Sequence, residues 1–289
     1  MTLNLALVSD WGVFLSGDFR VSYPTGRRVD NLDIQKLVPV FKFGWSALVS
    51  VCGVASTPKV KDVSDWLSEK TKAMDFHANF EELPRVLLSA NEWLRLLRVP
   101  QPLGFTIVAI VGKKPRLCVI SNFTDASGHF WQPLVNGLRD SRGRISGAGV
   151  HVFGDTGAVT AKEKEKLLTM VQRNWRPLEI QNAMAEVNYA ASKRSLSKSI
   201  SPQCVTGHLL GNQRAELIPH GIPANEIYIP GYVRRDLEAE GNWPLTPMRD
   251  DQGRPLPPQW VGSTSHFTLA RRGDQSVRTI HAMRNVAEP

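Results

Sequence analysis

Residues 2–53 read TLNLALVSDWGVFLSGDFRVSYPTGRRVDNLDIQKLVPVFKFGWSALVSVCG, and this opening stretch predicts the architecture of the chain. In residues 2–9, leucines alternate with smaller or polar residues at the two-residue period of a β-strand. Further strand-like segments follow at residues 13–22, 36–41 and 47–52. Short turns and a polar loop separate them, so the four strands are expected to pair in hairpin order as an antiparallel sheet.

Beyond Gly53 the hydrophobic residues change their spacing twice. Between Val60 and Leu97 they are spaced by three and four, which predicts two helices. Residues 104–124 return to the strand period around the turn Lys113–Pro115, which predicts a β-hairpin.

A second pair of helices is predicted after this hairpin. Thr160 and Glu163 have capping-box spacing, and Pro177 suits the first turn of the next helix. A last pair of strands is predicted near residues 204–210 and 226–229. The order of strands, two helices, strands, two helices and strands predicts an α+β fold, a four-layer αββα sandwich with two mostly antiparallel sheets.

The chain is predicted to divide into one large domain and an extension. Residues 1–215 carry the pattern of the sandwich. The extension is residues 216–289. From about Gly231 its sequence becomes rich in Pro, Gly, Arg and Asp, with a strand-like segment at 266–270. We therefore expect a loop-rich C-terminal extension with one β-hairpin.

The composition indicates an ordinary globular protein. Of the 289 residues, 42% are hydrophobic and 21% are charged, which suffices for a core. No apolar run approaches the length of a transmembrane helix, and the N-terminus lacks a signal-peptide pattern, so a cytoplasmic protein is expected. The three cysteines, Cys52, Cys118 and Cys204, are widely spaced and indicate reduced packing residues.

The charge pattern and the histidines favour neither nucleic acid nor a cofactor. The net charge is +8, but the basic residues are scattered in pairs, as expected for a solvated surface. The histidines show no metal-ligand spacing, and no phosphate-loop lysine follows the turn Gly154–Gly157. We therefore expect no metal, no cofactor, and no membrane or nucleic-acid partner.

Four positions of this sequence carry a resemblance to a known family: Thr2, Asp18, Lys36 and Gly53. In this order and spacing, the chain resembles the proteasome β-type subunits. It most closely resembles the HslV-like bacterial peptidase of two stacked rings that works with a AAA+ unfoldase. All of these are amino-terminal-nucleophile (Ntn) hydrolases. The resemblance covers about residues 2–215 and implies the Ntn-hydrolase fold.

The resemblance implies a catalytic role for each of the four residues, and elementary chemistry agrees with these roles. Removal of Met1 would leave Thr2 with a hydroxyl nucleophile and an α-amino base in one residue. An unperturbed α-amino pKa of about 7.7–8.0 suits that base near neutral pH. Lys36 would stabilise the incipient alkoxide, and Asp18 would hold the ammonium in place. The Gly53 N–H would donate to the oxyanion of the tetrahedral intermediate.

The resemblance also implies a substrate pocket and a set of residues behind Thr2. Carried over by position, the pocket consists of four apolar residues: Val21, Ile34, Val51 and Ala55. Such a pocket is expected to prefer an apolar residue before the cleaved bond. The residues expected to support the terminal amine are Asp155, where the family carries serine, and Ser199 or Ser201.

Three functions remain open at this point. The first is a threonine-type endopeptidase in a homo-oligomeric ring, with polypeptide substrates and a AAA+ unfoldase as a further partner. The second is a catalytically inactive proteasome-like subunit or scaffold, and the third is an amidase of the same fold. The hydrophobic helical stretch with Trp66 and Trp93 adds to the expectation of a ring, because it offers further apolar surface for burial.

Overall fold

The computed structural model describes most of the chain. The described residues are 2–22, 28–31, 34, 36–53, 62–90, 103–122, 134–136, 148–210, 215–222, 264–270 and 277–283. For residues 22, 134–136, 264–270 and 277–283, only the backbone is described.

The described part of the chain contains strands and helices in the alternating order that the periods predict. The strands are β1 (Leu3–Ser9), β2 (Gly12–Asp18), β3 (Arg20–Ser22), β4 (Arg28–Asp30), β5 (Leu37–Lys42), β6 (Trp45–Gly53), β7 (Leu103–Val111), β8 (Lys114–Ser121), β9 (Leu134–Asn136), β10 (Ala148–Gly154), β11 (Cys204–Leu210), β12 (Ala215–His220), β13 (Thr264–Ala270) and β14 (Val277–Met283). The helices are α1 (Val63–Ala73), α2 (Glu82–Leu88), α3 (Ala161–Gln172) and α4 (Pro177–Arg194).

The strands form two five-stranded sheets and two small ribbons. The first sheet has the order β10–β1–β2–β11–β12, and the second has the order β5–β6–β7–β8–β9. The prediction that the four opening strands form one sheet is therefore wrong, because β1 and β2 pair in the first sheet and β5 and β6 pair in the second. The described pairings within both sheets are antiparallel. The ribbons are β3–β4 and β13–β14.

The two sheets stack face to face, and helices cover the outer face of each. The apolar layer between the sheets includes Ala6, Leu15, Leu48 and Val108. Helices α1 and α2 cover the second sheet, with Leu67 and Val49 in one buried cluster. Helices α3 and α4 cover the first sheet, with Met184 and Leu5 in another. This arrangement confirms the predicted α+β fold, a four-layer αββα sandwich with two antiparallel sheets.

Strand β1 shows how the alternation in the sequence builds these layers. Leu3, Leu5 and Leu7 lie in the cluster under α3 and α4, whereas Ala6 and Val8 lie in the layer between the sheets. Because successive side chains of a strand point to opposite faces, one strand contributes to two apolar layers. Every residue of β1 is therefore buried.

Two strand boundaries differ from the prediction, one at Phe19 and one at Lys36. The strand predicted at 13–22 is interrupted at Phe19, because the Asp18 carboxylate accepts the Arg20 N–H at 2.9 Å and draws the backbone into a local turn. Lys36 lies just before β5 rather than inside a strand.

The helix predictions hold where the structure describes the chain. Helix α3 begins with the predicted capping box, in which Thr160 Oγ1 accepts the Glu163 N–H at 3.2 Å and Glu163 Oε2 accepts the Thr160 N–H at 2.8 Å. Pro177 opens α4. Trp66 of α1 is 8% exposed and packs in the core, so it offers no assembly surface; Trp93 lies outside the described residues.

The first sheet continues past residue 215, where the large domain is predicted to end. Strand β12 pairs with β11 and extends the sheet to His220, whereas the strand predicted at 226–229 lies outside the described residues. The division of the chain at residue 215 stays a prediction. None of the described helices is long and apolar enough to span a bilayer.

Candidate active site

The beginning of β1, the end of β2 and the residue before β5 meet at one end of the sandwich. The Leu3 N–H donates to Asp18 Oδ2 at 3.0 Å, and the Val51 N–H donates to the Lys36 carbonyl at 3.0 Å. Thr2, Asp18 and Lys36 are each 1% exposed. The structure therefore brings three of the four predicted catalytic residues into one buried polar cluster.

Lys36 lies at the centre of this cluster. Its Nζ atom lies 2.5 Å from Thr2 Oγ1 and 2.8 Å from Asp18 Oδ1, and it also donates to the Arg20 carbonyl. An ammonium group has three N–H donors, so these three acceptors use all of them. The charge of Lys36 is thus held in one position beside the Thr2 hydroxyl.

Asp18 both pairs with the ammonium and shapes the main chain. Its carboxylate accepts the N–H of Leu3 at 3.0 Å and of Arg20 at 2.9 Å, besides the Lys36 ammonium. Burial raises the pKa of the Asp18 carboxyl, and the Lys36 charge with these hydrogen bonds opposes the rise. Each buried charge of the pair is compensated by the other and by further hydrogen bonds, as burial of ions requires.

Strands β1 and β2 separate as they approach Thr2. Their ladder pairs residues 6–8 with residues 13–15. Beyond it, the Leu5 N–H donates to the Ser16 hydroxyl at 3.0 Å, and the Leu3 N–H donates to Asp18 Oδ2. Side chains thus replace the carbonyl acceptors that a regular ladder would supply, and this replacement places the carboxylate within reach of Lys36.

The turn after β10 holds the main chain of Thr2. The Asp155 N–H donates to the Thr2 carbonyl at 3.1 Å. Gly154 has a φ of 90°, and a Cβ atom at this position would lie 1.7 Å from the Thr2 carbonyl oxygen. This close approach requires glycine, since no side chain fits between the two backbones.

The Asp155 carboxylate accepts three hydroxyl hydrogen bonds at a single oxygen, Oδ2. The donors are Ser195 at 2.6 Å, Ser199 at 3.0 Å and Ser197 at 3.3 Å. The hydrogen bond from Ser195 is the main reason that the pKa of Asp155 lies below its usual value, and partial burial opposes this effect. Asp155 and Ser199 are therefore in contact, and their support of the terminal amine stays a prediction.

Ser201 belongs to a different network from Ser199. Its hydroxyl accepts the Gln203 N–H at 3.2 Å, and its carbonyl accepts from Asn188 Nδ2 at 2.8 Å. These contacts join Ser201 to the start of β11 and to α4 rather than to Asp155.

Sequence reasoning missed Ser195 and Ser197 as partners of the carboxylate. The available signal was the stretch SLSKSIS at residues 195–201, in which serine recurs at every second position. Serine is also common in loops of any kind, so the pattern alone does not identify an acceptor.

The β3–β4 ribbon also contacts this serine-rich loop. Arg28 donates to the Ser197 carbonyl, and Arg20 Nη2 lies 3.5 Å from the Ile200 carbonyl. Arg20 also pairs with Asp30 at 2.8 Å across the ribbon. The ribbon therefore connects the Lys36 end of the second sheet to the loop that contacts Asp155.

Gly53 is the last residue of β6, an interior strand of the second sheet. It has a φ of 104°, a conformation that favours glycine, and it pairs with Leu103 in the β6–β7 ladder. Its role as an oxyanion donor stays a prediction.

Three of the predicted pocket residues are buried in one apolar cluster. Val21, Ile34 and Val51 pack there together with residues of α1. Ala55 lies outside the described residues. The pocket as a substrate site stays a prediction.

The described residues provide no set of ligands for a metal ion. Within these ranges, no group of three or more His, Cys, Asp or Glu side chains could hold an ion. Cys52, Cys118 and Cys204 are buried and form no disulfide. Burial raises the pKa of Cys52 and of Cys118 to about 12 and also raises that of Cys204. These thiols are therefore protonated packing groups near neutral pH.

No protein-family model matches the sequence, and no curated protein matches it. Similar solved structures include Anbu (Gly-1 mutant) from Hyphomicrobium sp. strain MC1, at 14% identity and a TM-score of 0.49, covering 84% of this chain and 94% of that chain. Anbu from Hyphomicrobium sp. strain MC1 in another crystal form has 12% identity and a TM-score of 0.43, covering 72% of this chain and 82% of that chain. Anbu from Yersinia bercovieri, named an ancestral β-subunit, has 13% identity and a TM-score of 0.47, covering 83% and 94%.

These structures correct the resemblance drawn from the sequence. The similar structures are of Anbu, a related but different proteasome-like family, so the assignment to the HslV-like peptidase is wrong. The motifs around Thr2, Asp18 and Lys36 are short and lie at one end of the sandwich, so they do not distinguish one such family from another. The identities and TM-scores are too low to transfer an activity.

Proposed function

We propose that this protein is an N-terminal threonine hydrolase that cleaves peptide bonds after Met1 is removed. The observation that carries the proposal is the buried contact between Thr2 Oγ1 and Lys36 Nζ at 2.5 Å, with Asp18 Oδ1 2.8 Å from the same nitrogen. An ammonium beside a hydroxyl favours the anionic form of that hydroxyl, so this contact would stabilise Thr2 Oγ1 as an alkoxide. The arrangement suits activation of the Thr2 hydroxyl as a nucleophile.

In the proposed reaction, the Thr2 α-amino group accepts the hydroxyl proton as the oxygen attacks the substrate carbonyl. The C–N bond then breaks as the α-ammonium returns this proton to the leaving amine, and water hydrolyses the ester formed on Thr2 to release the second product. A free α-amino group has a pKa close to neutrality, which suits a general base. The Lys36 ammonium acts as a fixed charge, because its three hydrogens are already used, and it stabilises the developing alkoxide. Asp18 prevents the ammonium from moving away.

The main chain of Thr2 is positioned by the turn that contains Asp155. The Asp155 N–H holds the Thr2 carbonyl, while the three serine hydroxyls fix the carboxylate of the same residue. Because effective catalysis requires precise orientation of the nucleophile, a rigid contact on the adjacent carbonyl supports the proposal. The Gly53 N–H is the proposed donor to the oxyanion.

The substrate preference follows from the pocket that the family resemblance implies. Val21, Ile34 and Val51 carry no charge that could pair with a basic or acidic side chain. Apolar surface gains about 25 cal/mol for each Å² buried, whereas an unpaired charge carries a larger desolvation cost. We therefore propose that the residue before the cleaved bond is apolar, such as leucine or tyrosine.

The test is a fluorogenic peptide panel on protein whose intact mass shows that Met1 is absent. The proposal expects turnover of the leucine substrate, faster than turnover of the arginine and glutamate analogues. Thr2→Ala is expected to abolish turnover, whereas Thr2→Ser, which keeps the hydroxyl, retains part of it. Full activity in Thr2→Ala would show that the turnover comes from another site.

A second candidate function is a non-catalytic proteasome-like scaffold. The observation that favours it is the burial of Thr2, which is only 1% exposed, as a core residue is. Retention of Met1 in the intact mass of the purified protein would favour the scaffold over the hydrolase.

We further propose that the protein forms a homo-oligomer. Large apolar side chains are exposed on and beside α4: Trp175 at 44%, Leu178 at 41%, Tyr189 at 53% and Leu196 at 101%. Exposed apolar surface of this kind is typical of interaction sites. The AAA+ unfoldase as a partner stays a prediction.

A further inference from the structure

Four small or polar residues from four strands meet between the two sheets, directly behind Lys36. They are Asn4 of β1, Gly17 of β2, Ser50 of β6 and Thr106 of β7. Asn4 Nδ2 donates to Thr106 Oγ1 at 3.4 Å, and Thr106 is the cross-strand neighbour of Ser50. A Cβ atom at Gly17 would lie 2.8 Å from Ser50 Oγ and 3.7 Å from Lys36 Cβ.

Two buried polar atoms of this group have no hydrogen-bond partner among the described residues. They are Asn4 Oδ1 and Ser50 Oγ, and both residues are 0% exposed. If the Asn4 amide is turned over, its NH₂ group becomes the unpaired one, so one end of the amide needs a partner in either orientation. Buried polar groups in folded proteins are nearly always satisfied.

We infer that this position is a binding site for one buried water molecule, bound by the Asn4 amide and the Ser50 hydroxyl. Buried waters typically make about three hydrogen bonds to polar groups that would otherwise lack partners. Gly17 has no side chain, so the Ser50 hydroxyl packs closely against the backbone of β2, where a Cβ atom would lie only 2.8 Å from Ser50 Oγ. None of the four residues that form the site carries a charge, which favours neutral water over an ion.

The water would link the two sheets directly behind Lys36. It would connect β1, two residues after Thr2, to β6, next to the Val51 N–H that holds the Lys36 carbonyl. This inference does not depend on whether the protein is a hydrolase.

Ser46 provides a matched control on the same strand. It is 0% exposed, it lies on the same face of β6 as Ser50, and its hydroxyl also lacks a partner among the described residues. Its cross-strand neighbours are Phe41 and Ile110, which are apolar. A water beside Ser46 would therefore have no second polar side chain from these neighbours.

The test combines a crystal structure of the unmodified full chain with thermal unfolding of Ser50→Ala and Ser46→Ala. We expect density for a water about 2.7–3.2 Å from both Ser50 Oγ and the Asn4 amide. Ser50→Ala should lower Tm by about 2–4 °C, because the bound water loses a partner. Ser46→Ala should leave Tm unchanged or raise it, because it only removes an unpaired hydroxyl. Missing density, or equal Tm shifts for the two variants, overturns the inference.

Discussion

Lys36 keeps a positive charge inside the protein because its neighbours replace the water around it. Its side chain has no solvent exposure, and neither has that of Asp18. The ammonium donates to a carboxylate, a carbonyl and the Thr2 hydroxyl. Desolvation of a charge costs several kcal/mol unless such partners are present, so a function that uses the charge explains its burial better than stability does.

Replacing Lys36 with methionine separates these two roles. Lys36→Met keeps much of the volume but leaves the Asp18 carboxylate buried without its cation. We expect the free energy of unfolding to fall by about 3–5 kcal/mol. We also expect kcat/KM for the leucine peptide to fall about 10³-fold or more, as for other residues that act together with a nucleophile.

The double variant Lys36→Met with Asp18→Asn provides the control. It removes both charges, so urea unfolding should recover a large part of the lost stability, whereas kcat/KM should not recover. If the double variant regained activity together with stability, Lys36 would be a structural residue only.

At the residue scale, the sequence predicts the site residues that lie on one short motif. It does not predict those that the fold brings together from distant parts of the chain. Thr2, Asp18 and Lys36 were found because they lie within one stretch at recognisable spacings. Ser195 and Ser197 approach Asp155 from 40 and 42 positions away, through a loop that no periodicity describes. The interruption at Phe19 was missed because it depends on the Asp18 side chain competing for a backbone N–H.

A substitution in the turn after β10 tests whether this turn positions Thr2. Gly154→Ala introduces a Cβ atom 1.7 Å from the Thr2 carbonyl oxygen at a φ of 90°, so the turn must move away from Thr2. We expect kcat/KM to fall about 10²-fold or more from misplacement of the nucleophile.

Gly157→Ala in the same turn is the matched control. Nothing lies within 4 Å of a Cβ atom at Gly157, so this variant should keep its activity and its Tm. If the two alanine variants behaved alike, the contact between the turn and Thr2 would not matter for function.

His220 of β12 makes the stability of the folded chain depend on pH. Burial lowers the pKa of His220 from 6.5 to about 4, and its Nε2 lies 2.8 Å from Thr206 Oγ1. Between these two pH values, the unfolded chain binds more protons at this residue than the folded chain does. The contribution of neutral His220 is therefore complete above pH 6.5, and about 3 kcal/mol of stability is lost as the pH falls towards 4.

Urea unfolding between pH 7 and pH 4 measures this dependence. His220→Asn should flatten the decline, whereas His77→Asn, at an exposed position, should leave it unchanged. An unchanged slope in His220→Asn would assign the acid sensitivity to other groups.

At the scale of elements, the hydrophobic period predicts which faces are buried, but it predicts neither the ends of the strands nor their sheet: the four opening strands, predicted as one sheet, are divided between two. The leucines of β1 and the spacing in α3 and α4 predict which faces are buried, because burial follows the geometry of strand and helix. The beginning of β5 after Lys36 depends on a tertiary contact with Thr2 and Asp18, which local spacing cannot reveal.

For the whole molecule, the exposed apolar residues beside α4 predict self-association. Light scattering at micromolar concentration should give a mass well above the 32.1 kDa of the chain. The pair Tyr189→Ser and Leu196→Ser should shift the mass towards the monomer. Phe43→Ser is the control, because Phe43 is 65% exposed on the β5–β6 turn, away from α4. A monomeric unmodified protein would contradict the proposed assembly.

The most direct test of the proposed nucleophile is covalent labelling with a peptide epoxyketone, followed by mass mapping of the modified residue. This reagent requires both a hydroxyl and a free α-amino group on the same residue. We expect one label per chain, on Thr2, in protein that has lost Met1, and a strong loss of labelling in Lys36→Met. Protein that lacks Met1 and remains unlabelled, or a label on any residue other than Thr2, would show that Thr2 is not the nucleophile.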